Sequence, residues 1–403
     1  MSASKTLQIA MIGPFGLRPK GTMRVRALPL ARELARGGHH VTLLMAPWHT
    51  PDEPPRTWDQ DGVTLRYVPL GPRVPGVAQF CETRRLLRAA LALDPDVIHC
   101  FKPKGHAGLA AWWLWQRRRL GRQRPALVVD TDDWEGAGGW NDRGDYRASA
   151  RRFFAWQERW GLRHCDALTV ASRALESLAW SLGTPPERVR YLPNGVRDWT
   201  GGERESARQQ HGLGADPTIL LYTRFFEFDP AYPVTVLSLV RRRLPAARLL
   251  LVGTGLFPED NARFWGAVQG AGLEGAVVDA GWVSMAELPD LFAAADVGIY
   301  PFRDDLLNRC KCPVKLLDLV GAGVPVVGAR VGQIRDTIRD GRNGVLVPSG
   351  DAEAMARAVV DLLSSEERRE AMRRAAAAIA GTQSWAVRSE QLETLYGGLL
   401  SEV

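Results

Sequence analysis

The sequence predicts an α/β protein built as two doubly wound domains that face a cleft. Three observations predict it. In both halves, short apolar runs rich in β-branched residues alternate with helix-period stretches. A polar, glycine-containing stretch, RDWTGGERESARQQHGLGADP (197–217), separates the halves and reads as a linker region. The chain, at 403 residues, is long enough for two separate cores.

The first half opens with the strand LQIAMIG (7–13) and a loop holding Gly13, Gly16 and Gly21. A helical pattern over 22–36 stops at Gly37-Gly38, and HHVTLLM (39–45) is the next strand. DVIHCF (96–101), ALVVDT (126–131), ALTVAS (167–172) and VRYLPNG (189–195) continue the strand series, with helices expected over 105–120, 147–163 and 173–182. The second half repeats this grammar with TILLYT (218–223), ARLLLVG (247–253), AVVDAG (276–281), VGIYPF (297–302), VPVVGA (324–329) and GVLVP (344–348). The resulting expectation is an acceptor domain over 1–196, a linker over 197–217 and a donor domain over 218–383. An amphipathic helix over 384–403 would pack back on the first domain. Ligands of such sheets sit outside the carboxyl ends of the strands.

Hydrophobic content of 45% and charged content of 24% are those of a soluble globular chain. There is no apolar run long enough to span a bilayer and no signal-like N-terminus. Five cysteines in a chain of this size point to a reducing, cytoplasmic setting. The formal charge of +7 comes largely from clustered arginines, which suit anionic partners or a solvated surface. WWLWQRRRLGR (112–122) puts Trp112 and Trp115 on one helical face ahead of basic residues. It reads either as a packed helix with a solvated basic end or as a peripheral membrane contact at the inner face.

Three segments carry the resemblance to a known family. They are LPNGV (192–196), ELPDLFAAADVGIYPF (287–302) and GAGVPVVGARVGQIRDTIRDGRNGVLVPSGD (321–351). Together they resemble the retaining glycosyltransferases of family 4, with two Rossmann-like domains in the GT-B arrangement, over nearly the whole chain. The resemblance implies sugar transfer from a nucleotide diphosphate to a hydroxyl of a glycan, lipid or small molecule; with the cations described below at the diphosphate, no metal or other cofactor is expected to be required. Its partners would be a nucleotide sugar and an acceptor, lipid-linked in one version, and not nucleic acid. A non-catalytic member that binds nucleotide weakly is the alternative.

The family's paired acids map onto NRCKCPVKLLDLVGAG (308–323). The second falls on Asp318 and implies a grip on the ribose hydroxyls; the first falls on Cys310, at the transferred sugar. A thiol does not replace a carboxylate as an acceptor, so sugar selectivity departs from the family pattern. Pro313 suits the first turn of a helix, which leaves the Val314 and Lys315 amides for a phosphate. Arg224 matches the family's diphosphate Arg, while its Lys falls near Asp229-Pro230 and is missing; Lys315 or Lys311 would compensate.

Gly16 lies in the glycine loop, with Arg18, Lys20 and Arg24 as candidates for an anionic acceptor or as solvated charges. Gly253, Gly255 and Val283 fall at the expected base and diphosphate contacts. Asp132, in VDTDDWEG (129–136), falls at the reaction centre and orients hydroxyls, or else caps a turn. The catalytic expectation is therefore Asp132, Arg224 and Lys315. Donor binding falls to Gly16, Gly253, Gly255, Val283, Cys310, Val314 and Asp318. No metal site is expected: Cys310-x-Cys312 lacks a second ligand pair, and the Asp-x-Asp of Asp130 and Asp132 lies in the acceptor half.

Overall fold

A computed structural model describes residues 5–401 except 20, 73, 75, 122, 123, 145, 198 and 200. The chain forms two compact units. One comprises the residues up to Asn194 together with Cys310–Cys312 and the segment from Trp385 onward; the other comprises Gly195–Arg309 and Pro313–Ser384.

The first unit holds an eight-stranded sheet, β1 Gln8–Ile12, β2 His40–Met45, β3 Arg56–Gln60, β4 Val63–Tyr67, β5 Val97–Phe101, β6 Ala126–Thr131, β7 Ala167–Val170 and β8 Val189–Tyr191. The strand order is β3-β4-β2-β1-β5-β6-β7-β8. All neighbours are parallel except β3 and β4. That antiparallel hairpin turns at Asp61-Gly62, both at positive φ (57° and 80°), the backbone a two-residue hairpin turn needs. Alternation along β1 divides the core. Ile9 and Met11 pack on one face and Ala10 and Ile12 on the other, because successive strand side chains point to opposite faces. Both faces are covered, which is why these strands read as continuous apolar runs.

The second unit holds six parallel strands, β9 Thr218–Tyr222, β10 Arg248–Val252, β11 Val277–Asp279, β12 Val297–Tyr300, β13 Val326–Ala329 and β14 Gly344–Val347, in the order β11-β10-β9-β12-β13-β14. Leu249 and Leu251 face one apolar layer and Leu250 the other. The segment expected as linker contains a helix, Arg204–Gln210.

Five helices matter below: α1 Leu28–Arg36, α2 Gly105–Arg119, α3 Ala148–Arg163, α4 Val314–Gly321 and α5 Trp385–Ser401. Trp385, Leu392 and Tyr396 of α5 pack into the first unit's core beside α1. A buried chain of polar contacts fixes this packing. Tyr396 Oη lies 2.8 Å from His99 Nδ1, and His99 Nε2 lies 3.2 Å from Thr169 Oγ1. Thr169 donates to Asp130 Oδ2 at 2.6 Å. Arg26, fully buried, donates to both Asp130 oxygens at 2.8 and 2.6 Å, to Leu192 O at 2.9 Å and to Asn194 Oδ1 at 3.0 Å.

Candidate functional site

In each sheet the chain reverses its direction of strand addition once: between β1 and β5 in the first unit, between β9 and β12 in the second. Loops leaving the carboxyl ends of strands flanking such a point form the natural ligand crevice.

In the second unit, Arg224 follows β9. The turn that places it is tight: Phe225 has φ 59° and donates its amide to Thr223 Oγ1 at 2.8 Å. The Arg224 carbonyl accepts from the Leu256 amide at 3.1 Å. Gly253, φ 101°, lies against this turn; a Cβ there would stand 2.2 Å from the Thr223 carbonyl oxygen. Only glycine permits that approach. The Gly255 amide is occupied by Asn261 Oδ1 at 2.9 Å. Val283 packs partly buried on the core, whereas Trp282 beside it is 70% exposed.

Pro313 caps α4, and its carbonyl accepts from the Leu316 and Leu317 amides at 3.1 and 3.3 Å. The amides of Val314 and Lys315 are the first of the helix, and the helix dipole is positive there. Lys315 Nζ lies 3.3 Å from the centroid of the Tyr222 ring at the end of β9. Burial, then the Arg224 charge, pushes Lys315 down to about 7, against the pull of Glu227 and Asp318. One turn on, burial pushes Asp318 up to about 6, opposed by Arg197, by Lys315 and by the Trp199 indole N–H beside the carboxylate. Two atoms here, Arg224 Nε and Asp318 Oδ1, are buried without a hydrogen bond among the described residues. Such atoms occur elsewhere in the chain, at Arg248 Nε and Arg388 Nε among others, so it is their convergence with the buried Lys315 at the end of β9 that marks this place. Glu227 and Tyr300, absent from the sequence expectation, border the same cluster: Tyr300 is raised well above an ordinary tyrosine by burial and then by Glu227. Asn308 holds the Glu227 backbone through a 2.8 Å bond to its carbonyl.

In the first unit, Asp132 follows β6 and accepts from Thr22 Oγ1 at 2.8 Å. Lys102, just beyond β5 and at φ 55°, has its Nζ 3.4 Å from Asp132, 3.3 Å from Asp133 and 3.0 Å from Glu135. Lys104 Nζ binds Glu135 at 2.7 Å and Asn141 at 2.7 Å. Burial disfavours the Lys102 charge, but the three carboxylates outweigh it and raise the group well above an ordinary lysine. Glu135, also penalised by burial, is held at about 2 by Lys102 and Lys104. The sequence expectation holds Asp132 of this cluster but not its lysines or Glu135. The signal was Lys-Pro-Lys directly after a strand, opposite a carboxylate-rich strand end.

Gly16 sits in the glycine loop, where a Cβ would stand 3.1 Å from Tyr67 Oη and 3.3 Å from Pro47 Cα. Arg18 and Arg24 are exposed, and Lys20 lies outside the described residues. His106, a lone histidine in sequence, pairs with Glu82 at 2.9 Å. Cys310 is buried in the first unit's apolar core, and its carbonyl accepts from Ser172 Oγ at 2.6 Å. The Asn194 amide donates to Cys312 Sγ at 3.3 Å and its Nδ2 to the Cys312 carbonyl at 2.9 Å. Among the described residues no three His, Cys, Asp or Glu side chains are arranged to hold a metal.

Comparison with known proteins identifies the chain. Residues 21–195 match the family described as "Glycosyl transferase 4-like domain", and residues 217–365 match "Glycosyl transferases group 1". A D-inositol 3-phosphate glycosyltransferase of Geodermatophilus obscurus is 28% identical, over 96% of this chain and 87% of its own length. A GDP-mannose-dependent alpha-mannosyltransferase of Mycobacterium tuberculosis is 29% identical, over 89% and 88%. Among solved structures, sucrose-phosphate synthase from Thermosynechococcus elongatus superposes with TM-score 0.76 at 20% identity, covering 98% of this chain and 100% of that one. Anabaena HepE in complex with UDP and glucose gives 0.72 at 17%, covering 96% and 99%. The chain belongs to the GT-B glycosyltransferases of the family 4 type, with two Rossmann-like domains, and is a nucleotide-sugar-dependent glycosyltransferase.

Proposed function

We propose that the protein moves a hexosyl group from a nucleoside diphosphate sugar to a hydroxyl acceptor with retention of the anomeric configuration. The carrying observation is the second-unit cluster: two cations, Arg224 and Lys315, and a buried carboxylate, Asp318, converge at a strand-end crevice with unsatisfied atoms. The leaving diphosphate gains charge as the glycosidic bond breaks. Arg224, the Lys315 ammonium and the Val314 and Lys315 amides meet that charge, each donor being worth ~3 kcal/mol in such settings. These groups carry the work a metal would otherwise do, so turnover persists in chelator. Asp318 accepts from the ribose hydroxyls. Gly253 lets the loop after β10 close on Arg224, and Val283 and the exposed Trp282 border the base.

In the first unit, Asp132 orients the acceptor hydroxyl, held by Thr22 and Lys102. Gly16 keeps the glycine loop close-packed against Tyr67. Cys310, packed in an apolar core, contributes by packing and not by touching the sugar. On this reading the first unit is the acceptor domain and the second the donor domain. A lipid-linked acceptor and a peripheral membrane contact through 112–122 belong to the same proposal. One relative, 31% identical over 59% of this chain and 62% of its own length, is named as a phosphatidylinositol monomannoside mannosyltransferase of Mycolicibacterium smegmatis. Among the described residues no helix is long and apolar enough to cross a membrane.

The test is thermal shift against uridine, guanosine and adenosine diphosphates and their sugar conjugates, on wild type and Asp318→Ala. A ligand at a hundred times its dissociation constant stabilises by ~2.7 kcal/mol. One nucleotide raising the midpoint of wild type but not of the variant supports the reading; no response to any of them overturns it.

A further inference from the structure

Helix α3 presents a face that sugar transfer does not use. Its inner side is Gln157, Glu158, Gly161 and Leu162, all buried. Its outer side carries a row of rings. Phe153 and Trp156, each 40% exposed, stack at 5.8 Å with 24° between their planes. Trp160 follows 6.2 Å from Trp156 and stacks on His164 at 4.3 Å. His164 in turn meets Trp115 of α2 edge-on at 5.7 Å. One turn before Trp115 on α2, Trp112 and Trp113 are 38% and 40% exposed. The row therefore continues from one helix to the next.

Arginines flank it. Arg147, Arg151, Arg152, Arg159 and Arg163 are all exposed, and none forms an ion pair among the described residues. The single carboxylate of α3, Glu158, points inward and accepts from the Glu135 amide at 2.9 Å. The face is thus apolar along its axis and cationic along one flank, where Arg152, Arg159 and Arg163 fall together.

An exposed aromatic stripe of this length marks an interaction surface. Two chemistries combine aromatic rings with arginines: single-stranded nucleic acid, which stacks bases on open ring faces, and an anionic bilayer surface, which takes rings into the headgroup region while guanidinium groups meet phosphates. The ring geometry separates them. Trp160 and His164, 4.3 Å apart with 5° between their planes, cover each other's faces, so that end of the row offers none to a base. A bilayer interface takes such rings in any orientation, whereas a base needs an open face. Arginine side chains also extend along apolar surface to reach charge, as a helix lying in an interface requires.

We propose that α3, together with the exposed start of the tryptophan segment on α2, docks this protein on an anionic lipid bilayer. The inference rests on the membrane-contact part of the functional reading and moves its centre from 112–122 to 151–163; it is independent of the donor site.

The full chain is sedimented with phosphatidylcholine vesicles, with and without phosphatidylglycerol. The expected result is binding only to the anionic vesicles, weakened by added salt, with tryptophan fluorescence quenched by brominated lipid in the wild type. Arg152→Glu/Arg159→Glu/Arg163→Glu lowers vesicle affinity by ~100-fold or more. Phe153→Ser/Trp156→Ser lowers it by at least ~10-fold. Neither variant changes the thermal shift with nucleotide. Failure of the wild type to bind anionic vesicles, or absence of quenching, overturns the proposal, as does binding of a single-stranded oligonucleotide in place of vesicles. Loss of binding in Trp112→Ser/Trp113→Ser with full binding in both α3 variants also overturns it, and would leave the contact at 112–122 standing alone.

Discussion

The Lys315 ammonium lies 3.3 Å from the centroid of the Tyr222 ring, at the carboxyl end of the strand that leads to Arg224. A lysine over an aromatic face beside an arginine is a cation whose nearby carboxylates, Glu227 and Asp318, do not outweigh its burial. Burial and Arg224 bring it down to about 7, so in the free protein near neutrality it is only partly charged. A diphosphate supplies further negative charge and draws the proton back.

This sets a pH window for donor binding. Lys315 carries its charge below about 7 and Asp318 carries its charge above about 6. Affinity for a nucleoside diphosphate should therefore peak between the two, falling on the acid side as Asp318 protonates and on the alkaline side as Lys315 deprotonates. Calorimetric titration across this range checks it. Lys315→Met should lose the alkaline limb and Asp318→Asn the acid limb.

Asp318 also sets function against stability. Its carboxyl titrates near 6 in the folded chain and near ~3.9 when unfolded. The folded state holds that proton more tightly, so stability is lost as pH rises from ~4 through about 6 and stays lost above. Asp318→Asn should therefore be more stable than wild type at pH ~7, by up to ~3 kcal/mol, while losing its response to donor. Denaturant melts with and without nucleotide measure both effects.

The Arg26–Asp130 pair is wholly buried, with oxygen contacts on both sides. Arg26→Ala leaves Asp130 as an uncompensated charge and should cost ~3–5 kcal/mol. A double variant, Arg26→Met/Asp130→Leu, should recover a good part of the loss. Unfolding midpoints decide it, and full additivity of the two single losses would contradict the coupling.

His99 is kept neutral: burial first, and then the Arg26 charge, push it down to about 3. Unfolded, it gains a proton below ~6.5. The unfolded chain then binds more protons, so stability falls with pH from ~6.5 down to about 3, by ~1.4 kcal/mol per unit for this one group. His99→Gln should flatten that slope by one proton. Tyr396→Phe should cost ~1 kcal/mol by unmaking the bond that ties α5 to the sheet.

Much of this fold is legible in the chain. Every apolar run singled out in the second half, from TILLYT to GVLVP, contains a strand, because strands buried on both faces have no polar alternation to hide them. The β3–β4 hairpin went unread although Asp61-Gly62 marks its turn, and so did the helix Val77–Leu91, whose arginines dilute its period. The candidate site divides in the same way. Lys315 is legible because Pro313 opens its helix, and Asp318 through its place in the family's acidic pattern. Glu227, Tyr222 and Tyr300 are not, because strands distant in sequence bring them together. The packing of Cys310 in the first unit's core, one residue from Lys311, likewise follows no local periodicity.

The most direct measurement is the affinity of wild type and Lys315→Met for the nucleoside diphosphate of the preferred base, each compared with the corresponding monophosphate. If Lys315 and the start of α4 grip the distal phosphate, wild type prefers the diphosphate by ~10- to 100-fold and the variant loses most of that preference while monophosphate binding holds. Equal preference in the two proteins would place the distal phosphate elsewhere and contradict the account.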